Sequence, residues 1–445
     1  MSTTSTIVGA GPAGSLLAIL LAQAGHRVEL YEQRPDLRAV PVDSGRSINL
    51  ALATRGIVAL EAAGVMDRVN EITIPMVGRM VHEPDGDTGL QRYGNRDDEV
   101  IHSVSRNHLN GILLDGAEAT GRVTIHFGQR LERVNLDGRI LHFVDDDGTP
   151  STAPFDVLYG CDGIGSEVRD SVVEANGGTA AIEPLNHGYK ELTLPPAVDG
   201  GFRIDPNALH IWARGEFMLI ALANPDGDFT VTLFLPNEGT ESFASLDDPD
   251  RVGAFFGLHF PDVVELIPTL VEQFETNPTG HLGTLRCQGW QVGDHAVLLG
   301  DAAHGIVPFH GQGMNAAFES CLVLTSAMAR NPDDRAAAFA AFETERRPNT
   351  DAIADMALEN YVEMRSDVID ERYQLERQLA LELERRWPGQ FTPRYTMVMF
   401  RSLPYAEARR RATQQAEVLT ELTEGCRSLD DIDWNRAADL VRGLS

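Results

Sequence analysis

Apolar positions along the chain recur with two different periods, and the changes between them mark out the elements. From Ser5 to Arg34, "STIVGAGPAGSLLAILLAQAGHRVELYEQR" opens with an apolar strand and passes through a glycine-rich turn. It continues with a helical apolar repeat and closes on a second alternating strand. That order predicts a strand–helix–strand unit of about 30 residues. A helix is expected at "RGIVALEAAGV", and helix then strand from "SVSRNHLNGILLDGAEATG" to "VTIHF". Short alternating strands with Asp/Gly turns follow at "LERVNL", "ILHFVDDDG" and "FDVLYGCDGIGS".

Between Gly188 and Glu238 the pattern becomes strand-rich: "YKELTL", "LHIWAR", "FMLIALAN" and "FTVTLFLP", the last two joined by "PDGD". "HAVLLGDAAH" returns to a buried strand. After Pro348 the chain reads as one helical run, from "TDAIADMALENY" to "LERRW" before Pro388 and Gly389. The expected fold class is α/β, a Rossmann-type domain interleaved with a β-sheet domain, plus C-terminal helices. The boundaries expected are 1–72, 100–178 and 280–345 for the first, 73–99 and 179–279 for the second, and 346–445 for the helices.

At 445 residues the chain is too long for one ordinary core. Its 37 Lys+Arg against 66 Asp+Glu give a formal charge of −29, which repels nucleic acid and anionic membrane surfaces. Cys161, Cys287, Cys321 and Cys426 form no CxxC pair, which predicts a reducing compartment and no zinc site. "SLLAILLAQAG" has no basic stretch before it, and no other segment approaches about 18 uninterrupted apolar residues. A cytoplasmic protein without a membrane anchor is expected.

Three stretches carry chemistry. "GAGPAG" matches GxGxxG between strand and helix: Gly9 permits the turn, Gly11 lets backbone amides approach a pyrophosphate, and Gly14 lets helix and strand pack closely. Glu32 ends the second strand, where a carboxylate can accept from a ribose diol. In "CDGIGSEVR", Asp162-Gly163 is an ordinary turn pair. Its Arg169 is open to two readings, neutralising the acidic strand ends near a pyrophosphate or capping a helix.

In "GDAAHGIVPFHGQGMN" a buried strand delivers Asp301, which can accept from a ribitol or ribose hydroxyl. Pro308 and Gly313 then supply close backbone approach and a helix start. His304 and His310 find no third ligand at metal spacing, so no metal is expected; His304 reads as a hydrogen-bonded structural histidine.

GxGxxG, DGxxSxxR and GDAAH…P…GQGMN, in that order, resemble the FAD-dependent aromatic hydroxylases. Within them, "GRSINLALATRG", "HGYKELTLPP", "LHIWAR", "FMLIALAN", "NYVEMR" and "YTMVMF" are similar to the kynurenine 3-monooxygenase family, from Ile7 to about Glu407. The resemblance implies a tightly bound, non-covalent FAD and NADPH as a transient reductant, since no second dinucleotide fingerprint is present. It implies FAD contacts from Ala13, Tyr31, Glu32, Gln33, Arg34, Ala51, Arg106, Leu131, Asp301, Met314 and Asn315, with Asp162 and Gly313 in the motifs that flank them. It also implies that Arg79 and Tyr93 hold an amino-acid carboxylate, with Asn360 and Tyr395 completing that site.

Read without the resemblance, Arg79 is a surface cation. Asn360 shares a helical face with Met356, Ala357 and Met364, so its amide needs a partner in an apolar setting. Leu209, Ile211, Ile220, Leu222 and Phe234 are candidates for an aryl pocket and equally ordinary inward positions of a sheet. Pro308, Phe309 and His310 are candidates near the substrate.

The implied activity is hydroxylation of L-kynurenine to 3-hydroxykynurenine with NADPH and O₂ through a flavin C4a-hydroperoxide, in tryptophan degradation and NAD biosynthesis. A paralogous hydroxylase of a ring-substituted kynurenine or an anthranilate-type acid is the alternative. A flavin halogenase lacks its WxWxIP run here, and a non-catalytic flavin-binding protein would have no need of a substrate clamp. Two departures from the animal members stand out. Val77 occupies a position where they tend to have arginine, and their C-terminal membrane segment is not found.

Overall fold

The computed structural model describes residues 4–39 and 49–444, so Gly45 to Ile48 of the "GRSINLALATRG" segment lie outside the described residues. The chain forms two compact units, each assembled from three separated stretches. The first takes in the described residues of Met1–Thr73, Val104–Leu185 and Gly283–Ala354, and the second those of Ile74–Ser103, Asn186–Leu282 and Asp355–Ser445.

The first unit is built on a six-stranded sheet in the order Gln291–Val292, Ala296–Leu298, Val157–Gly160, Thr4–Val8, Arg27–Tyr31, Val123–His126. All neighbours are parallel except the first pair. The Pro12–Gln23 helix buries every residue from Gly14 to Ala22. It is apolar all round because strands, the Gly313–Arg330 helix and the Arg106–Ala119 helix enclose it.

Thr4–Val8 lies between Arg27–Tyr31 and Val157–Gly160, and the chain leaves it first toward one side of the sheet and later toward the other, which makes its carboxyl end a switch point. There the turns converge: Gly9 N donates to Tyr31 O (2.8 Å), Cys161 N to Val8 O (2.8 Å) and Leu299 N to Gly160 O (2.9 Å).

The second unit centres on a seven-stranded sheet ordered Thr279–Gln288, Thr179–Leu194, Phe229–Pro236, Met218–Ala223, Leu209–Ala213, Gly78–His82, Thr88–Arg92. Period-two alternation gives it two faces. Leu192, Trp212, Leu219, Ala221, Val231 and Leu233 pack on Val252, Phe256, Phe260 and Val263 of a helical layer that the apolar pattern had not indicated. The opposite face carries Arg79, Leu209, Ile211, Ile220, Leu222 and Phe234, as the registers Arg79↔Leu209, Ile211↔Ile220 and Met218↔Phe234 require.

Two expectations for the C-terminal part differ from the structure. Pro348 does not precede a helix but lies inside one, Arg335–Arg365. One missing backbone bond does not end a helix whose flanks, Phe339, Phe342, Ile353 and Met356, are fully buried. The single run expected up to Trp387 is two helices, broken after Arg365. Asp370 caps the second, Glu371–Arg386, by accepting from Tyr373 N. The residues from Asp355 onward group with the seven-stranded sheet. Among the described residues no helix is long and apolar enough to cross a membrane.

Candidate active site

The turn after Thr4–Val8 is crowded on one side and open on the other. A Cβ on Gly9 would lie 2.3 Å from the Cys161 carbonyl oxygen, and one on Gly14 would lie 1.9 Å from that of Gly9. Gly9 also has φ +99°, so strand, turn and helix can meet only if both positions lack a side chain. At Gly11 an added Cβ meets no protein atom within 4 Å. The Pro12–Gln23 helix has no side-chain cap and no acid in its first turn, where Ala13 sits. Its orphan amides and the space before Gly11 make an open electropositive cradle suited to a pyrophosphate.

Beside the cradle, Glu32 accepts from Ala10 N (2.8 Å) through one oxygen. Its other oxygen accepts from the amide and Nε of Arg34 (3.0 and 2.8 Å). Three bonds leave part of the carboxylate's acceptor capacity unused. The Tyr31 ring is sandwiched between His126 and Phe143, each at 4.5 Å, while Gln33 and Arg34 are exposed. Leu131 belongs to the hydrophobic core, which leaves only its backbone for a ligand.

The "CDGIGSEVR" turn closes on itself. Asp162 accepts from Ser166 Oγ (2.5 Å) and Val168 N (3.2 Å), Ser166 Oγ accepts from Arg169 N (2.9 Å), and Arg169 Nη1 donates to Ile164 O (2.7 Å). Of the two readings of Arg169, the printed contacts are those of a side chain that ties down its own helix start. Burial raises the Asp162 carboxyl, with Ser166 and Val168 pulling it back.

Asp301 follows the Ala296–Leu298 strand at the same end of the sheet. It is exposed to solvent, yet the surrounding protein pushes its carboxyl up while Arg106 draws it down, as for a group on the floor of a cleft. The Gly313–Arg330 helix is a second helix start without a side-chain cap, and Met314 is half-buried in its first turn.

Asn315 is fully buried: its Oδ1 accepts from Ala53 N (2.9 Å) and its Nδ2 donates to Ala51 O and Gly311 O (both 2.8 Å). Its side chain thus fixes the backbone around Ala51 and Gly311 rather than facing a ligand. Pro308 is exposed on a short 3₁₀ turn in which Phe309 and His310 are buried. His304 is buried against Ser320 Oγ (3.0 Å); burial and Arg346 bring its pKa down to about 3, so it stays neutral.

The second unit gathers Arg79, Tyr93, Asn360 and Tyr395. Arg79, 3% exposed, donates from Nη1 to Glu363 Oε1 (2.8 Å) and from Nη2 to Asn360 Oδ1 (3.4 Å), with its guanidinium 5.1 Å from the Tyr395 ring centroid. Its Nε is buried with no hydrogen-bond partner. Tyr93 stacks on Tyr395 at 4.8 Å and 12°, and its buried hydroxyl lies beside that of Tyr395 without a well-formed hydrogen bond. Burial pushes both phenols up, Tyr395 to about 12, so both are neutral O–H donors at pH 7.

Four residues here, Glu363, Tyr373, Arg394 and Gln91, were not singled out from sequence. Glu363 also accepts from Arg394 Nη2 (2.7 Å) and the Tyr373 hydroxyl (2.5 Å). Burial alone would raise its carboxyl, but Arg79 and Arg394 bring it down to about 2, so it is ionised. Gln91, opposite Arg79 in register, has a buried Oε1 with no partner. The site thus holds a buried guanidinium with capacity to spare, a phenol donor and an unmet acceptor. That donor set matches the carboxylate and ammonium of an α-amino acid.

An FAD binding domain family model matches residues 2–197 and 264–357. A kynurenine 3-monooxygenase of Stenotrophomonas maltophilia is 52% identical over 434 residues, covering 97% of this chain and 95% of the relative. One of Myxococcus xanthus is 46% identical over 440 residues, covering 99% and 95%. The chain belongs to the kynurenine 3-monooxygenase family.

Solved structures share the fold at lower identity. A tetrameric form of 2-methyl-3-hydroxypyridine-5-carboxylic acid oxygenase has a TM-score of 0.67 at 21% identity, over 86% of this chain and 98% of its own. P. aeruginosa PqsL in complex with 2-aminobenzoylacetate has 0.66 at 21%, over 82% and 97%. As a kynurenine 3-monooxygenase family member the chain binds FAD. The open cradle at Gly11, the two uncapped helix starts and the cleft carboxylate of Asp301 fit an anionic dinucleotide with a polyol linker. All the FAD contacts implied from sequence fall in the first unit, and Arg79, Tyr93, Asn360, Tyr395 and the five apolar candidates in the second.

Proposed function

We propose that the protein is an NADPH-dependent flavoprotein monooxygenase that converts L-kynurenine to 3-hydroxykynurenine. The observation that supports the reading most is the buried Arg79 with an unsatisfied Nε, next to the Tyr93 hydroxyl. An arginine 3% exposed with donor capacity unused calls for an anionic ligand.

FAD, when bound, supplies electron transfer from NADPH and the activation of O₂. The chain's residues have other tasks. The amides after Gly11 and at Gly313 would hold its anionic parts, and Asp301 and Glu32 would accept from its hydroxyl groups. Arg79 and Tyr93 take the substrate carboxylate by charge-assisted bonds worth about 1.5–3 kcal/mol each. Glu363 keeps Arg79 ionised and aimed. Leu209, Ile211, Ile220, Leu222 and Phe234 give the aniline ring a dry apolar face, which orients the ring and excludes water. No side chain need act as a base, because the ring's own amine activates the position beside it.

The test uses the FAD-loaded protein. L-Kynurenine should accelerate NADPH oxidation and yield 3-hydroxykynurenine by mass spectrometry. Acceleration that ends only in hydrogen peroxide would make kynurenine an effector and the reading wrong.

A further inference from the structure

Arg79, Tyr93, Asn360 and Tyr395 all line a cavity of about 630 Å³ that lies wholly inside the second unit and extends outward from them. Its floor includes Arg79, Tyr93 and Tyr395, and its outer wall is the exposed side of the Tyr405–Thr423 helix, with Ala412, Thr413 and Ala416. Four arginines line it, Arg79, Arg377, Arg394 and Arg409, against four glutamates, Glu359, Glu363, Glu376 and Glu417. In a chain with a formal charge of −29 this space is balanced, which suits a ligand that carries both signs.

The charges are also ordered. Asp355, Glu359 and Glu363 recur every four residues on the Arg335–Arg365 helix, about 6 Å apart along its axis. Arginines from three other elements alternate with them. Arg409 bridges Asp355 (2.5 Å) and Glu359 (3.3 Å), Arg394 bridges Glu359 (3.0 Å) and Glu363 (2.7 Å), and Arg79 closes the series on Glu363 (2.8 Å). Asp355 at the far end is 30% exposed, and from Arg409 and Glu359 side-chain exposure falls inward, from 41% and 45%, through 30% at Arg394 and 15% at Glu363, to 4% at Arg79. The alternating ladder therefore runs from solvent to the buried clamp.

We propose that this cavity is an entry site for a zwitterionic aromatic α-amino acid, which exchanges ion-pair partners along the ladder from Arg409 and Glu359 to Arg79. The proposal rests on the function reading above. A zwitterion has no net charge for the protein's overall field to steer, so it can be captured only by local charges of both signs. Exposed ion pairs are each worth about 0–1 kcal/mol, so the outer rungs can swap a protein partner for a ligand group at little cost. Tyr373 and Tyr395, both half-buried, offer surface to an aryl group on the way.

A route differs from a site in its kinetics: an obstructed route slows entry and exit alike and leaves the equilibrium unchanged. The experiment is stopped-flow binding of L-kynurenine to the FAD-loaded protein without NADPH, for wild type, Arg409→Gln, Arg409→Lys and Ala416→Trp. Arg409→Gln removes the outer cation, Arg409→Lys keeps its charge, and Ala416→Trp obstructs the cavity from an exposed helix face. Association and dissociation rate constants should both fall about tenfold in Arg409→Gln and Ala416→Trp at low salt, with Kd within twofold of wild type and recovery in Arg409→Lys. Wild-type association rates in both Arg409→Gln and Ala416→Trp would overturn the proposal, as would a weakened Kd at unchanged association rate. A wild-type protein that does not bind kynurenine would instead overturn the function reading, and this proposal with it.

Discussion

Replacing Glu363 by glutamine keeps the shape of the side chain and removes its charge, so it isolates what the carboxylate does for Arg79. The carboxylate takes hydrogen bonds from Arg79, Arg394 and Tyr373, and its pKa falls from the ordinary 4.5 to about 2. Such a displacement corresponds to about 3 kcal/mol of stability at neutral pH. Removing one partner of a buried ion pair costs about 3–5 kcal/mol, because the surviving charge is left uncompensated. Arg394, 30% exposed, keeps water and Glu359, which favours the lower end of that range.

For a unit of about this size, a loss of about 3 kcal/mol lowers Tm by roughly 6–12 °C. Because the folded pKa lies below the unfolded one, the contribution is complete above about pH 4.5 and is lost as pH falls through about 2. Thermal melts of wild type and Glu363→Gln across pH 4 to 8 read both effects. The gap should be constant at and above pH 6 and begin to close near pH 4.5. A variant melting within a degree of wild type at pH 7, or a gap that widens on acidification, would refute the reasoning.

Arg79→Ala should raise KM for kynurenine about ten- to a hundredfold, given charge-assisted bonds of about 1.5–3 kcal/mol, and an unchanged KM in steady-state assays would show the clamp misplaced. Gly11→Ala and Gly14→Ala should separate. The first leaves the fold intact, since its Cβ meets no protein atom, but loses FAD on desalting, whereas the second, with a Cβ 1.9 Å from Gly9 O, yields little folded protein by circular dichroism. Asn315→Ala removes three buried bonds to backbone groups, so chemical denaturation of the FAD-free protein should show a loss of about 2–4 kcal/mol; a wild-type stability with weakened FAD binding would make Asn315 a cofactor contact instead.

The first unit was largely legible because its determinants are local. Gly9, Gly14 and Glu32 belong to one strand–helix–strand unit, and period-two alternation in "LHIWAR" and "FMLIALAN" grouped Leu209 with Ile211 and Ile220 with Leu222, whereas the register that puts Arg79 on their face joins strands 130 positions apart. The helix break after Arg365 was not legible: the repeat continues across it, while the structure inserts a 3₁₀ turn at Asp367–Ile369 and restarts the helix on the capping contact of Asp370 with Tyr373 N. Glu363 escaped notice because its partner Arg79 lies 284 positions away. The four-residue spacing of Asp355, Glu359 and Glu363 was visible, but that pattern on a helix also describes an ordinary solvated face. For Asp162 and Asn315 the motif marked the turns but not what their side chains bond. Whether a side chain faces a ligand or its own backbone depends on hydrogen bonds that a motif does not specify.

The most direct measurement is turnover of L-kynurenine by the FAD-loaded protein with NADPH under ¹⁸O₂. The account predicts 3-hydroxykynurenine carrying one heavy oxygen, with one NADPH consumed per product and no turnover of the decarboxylated analogue at matched concentration. An unlabelled product, or NADPH consumption balanced entirely by labelled hydrogen peroxide, would contradict it.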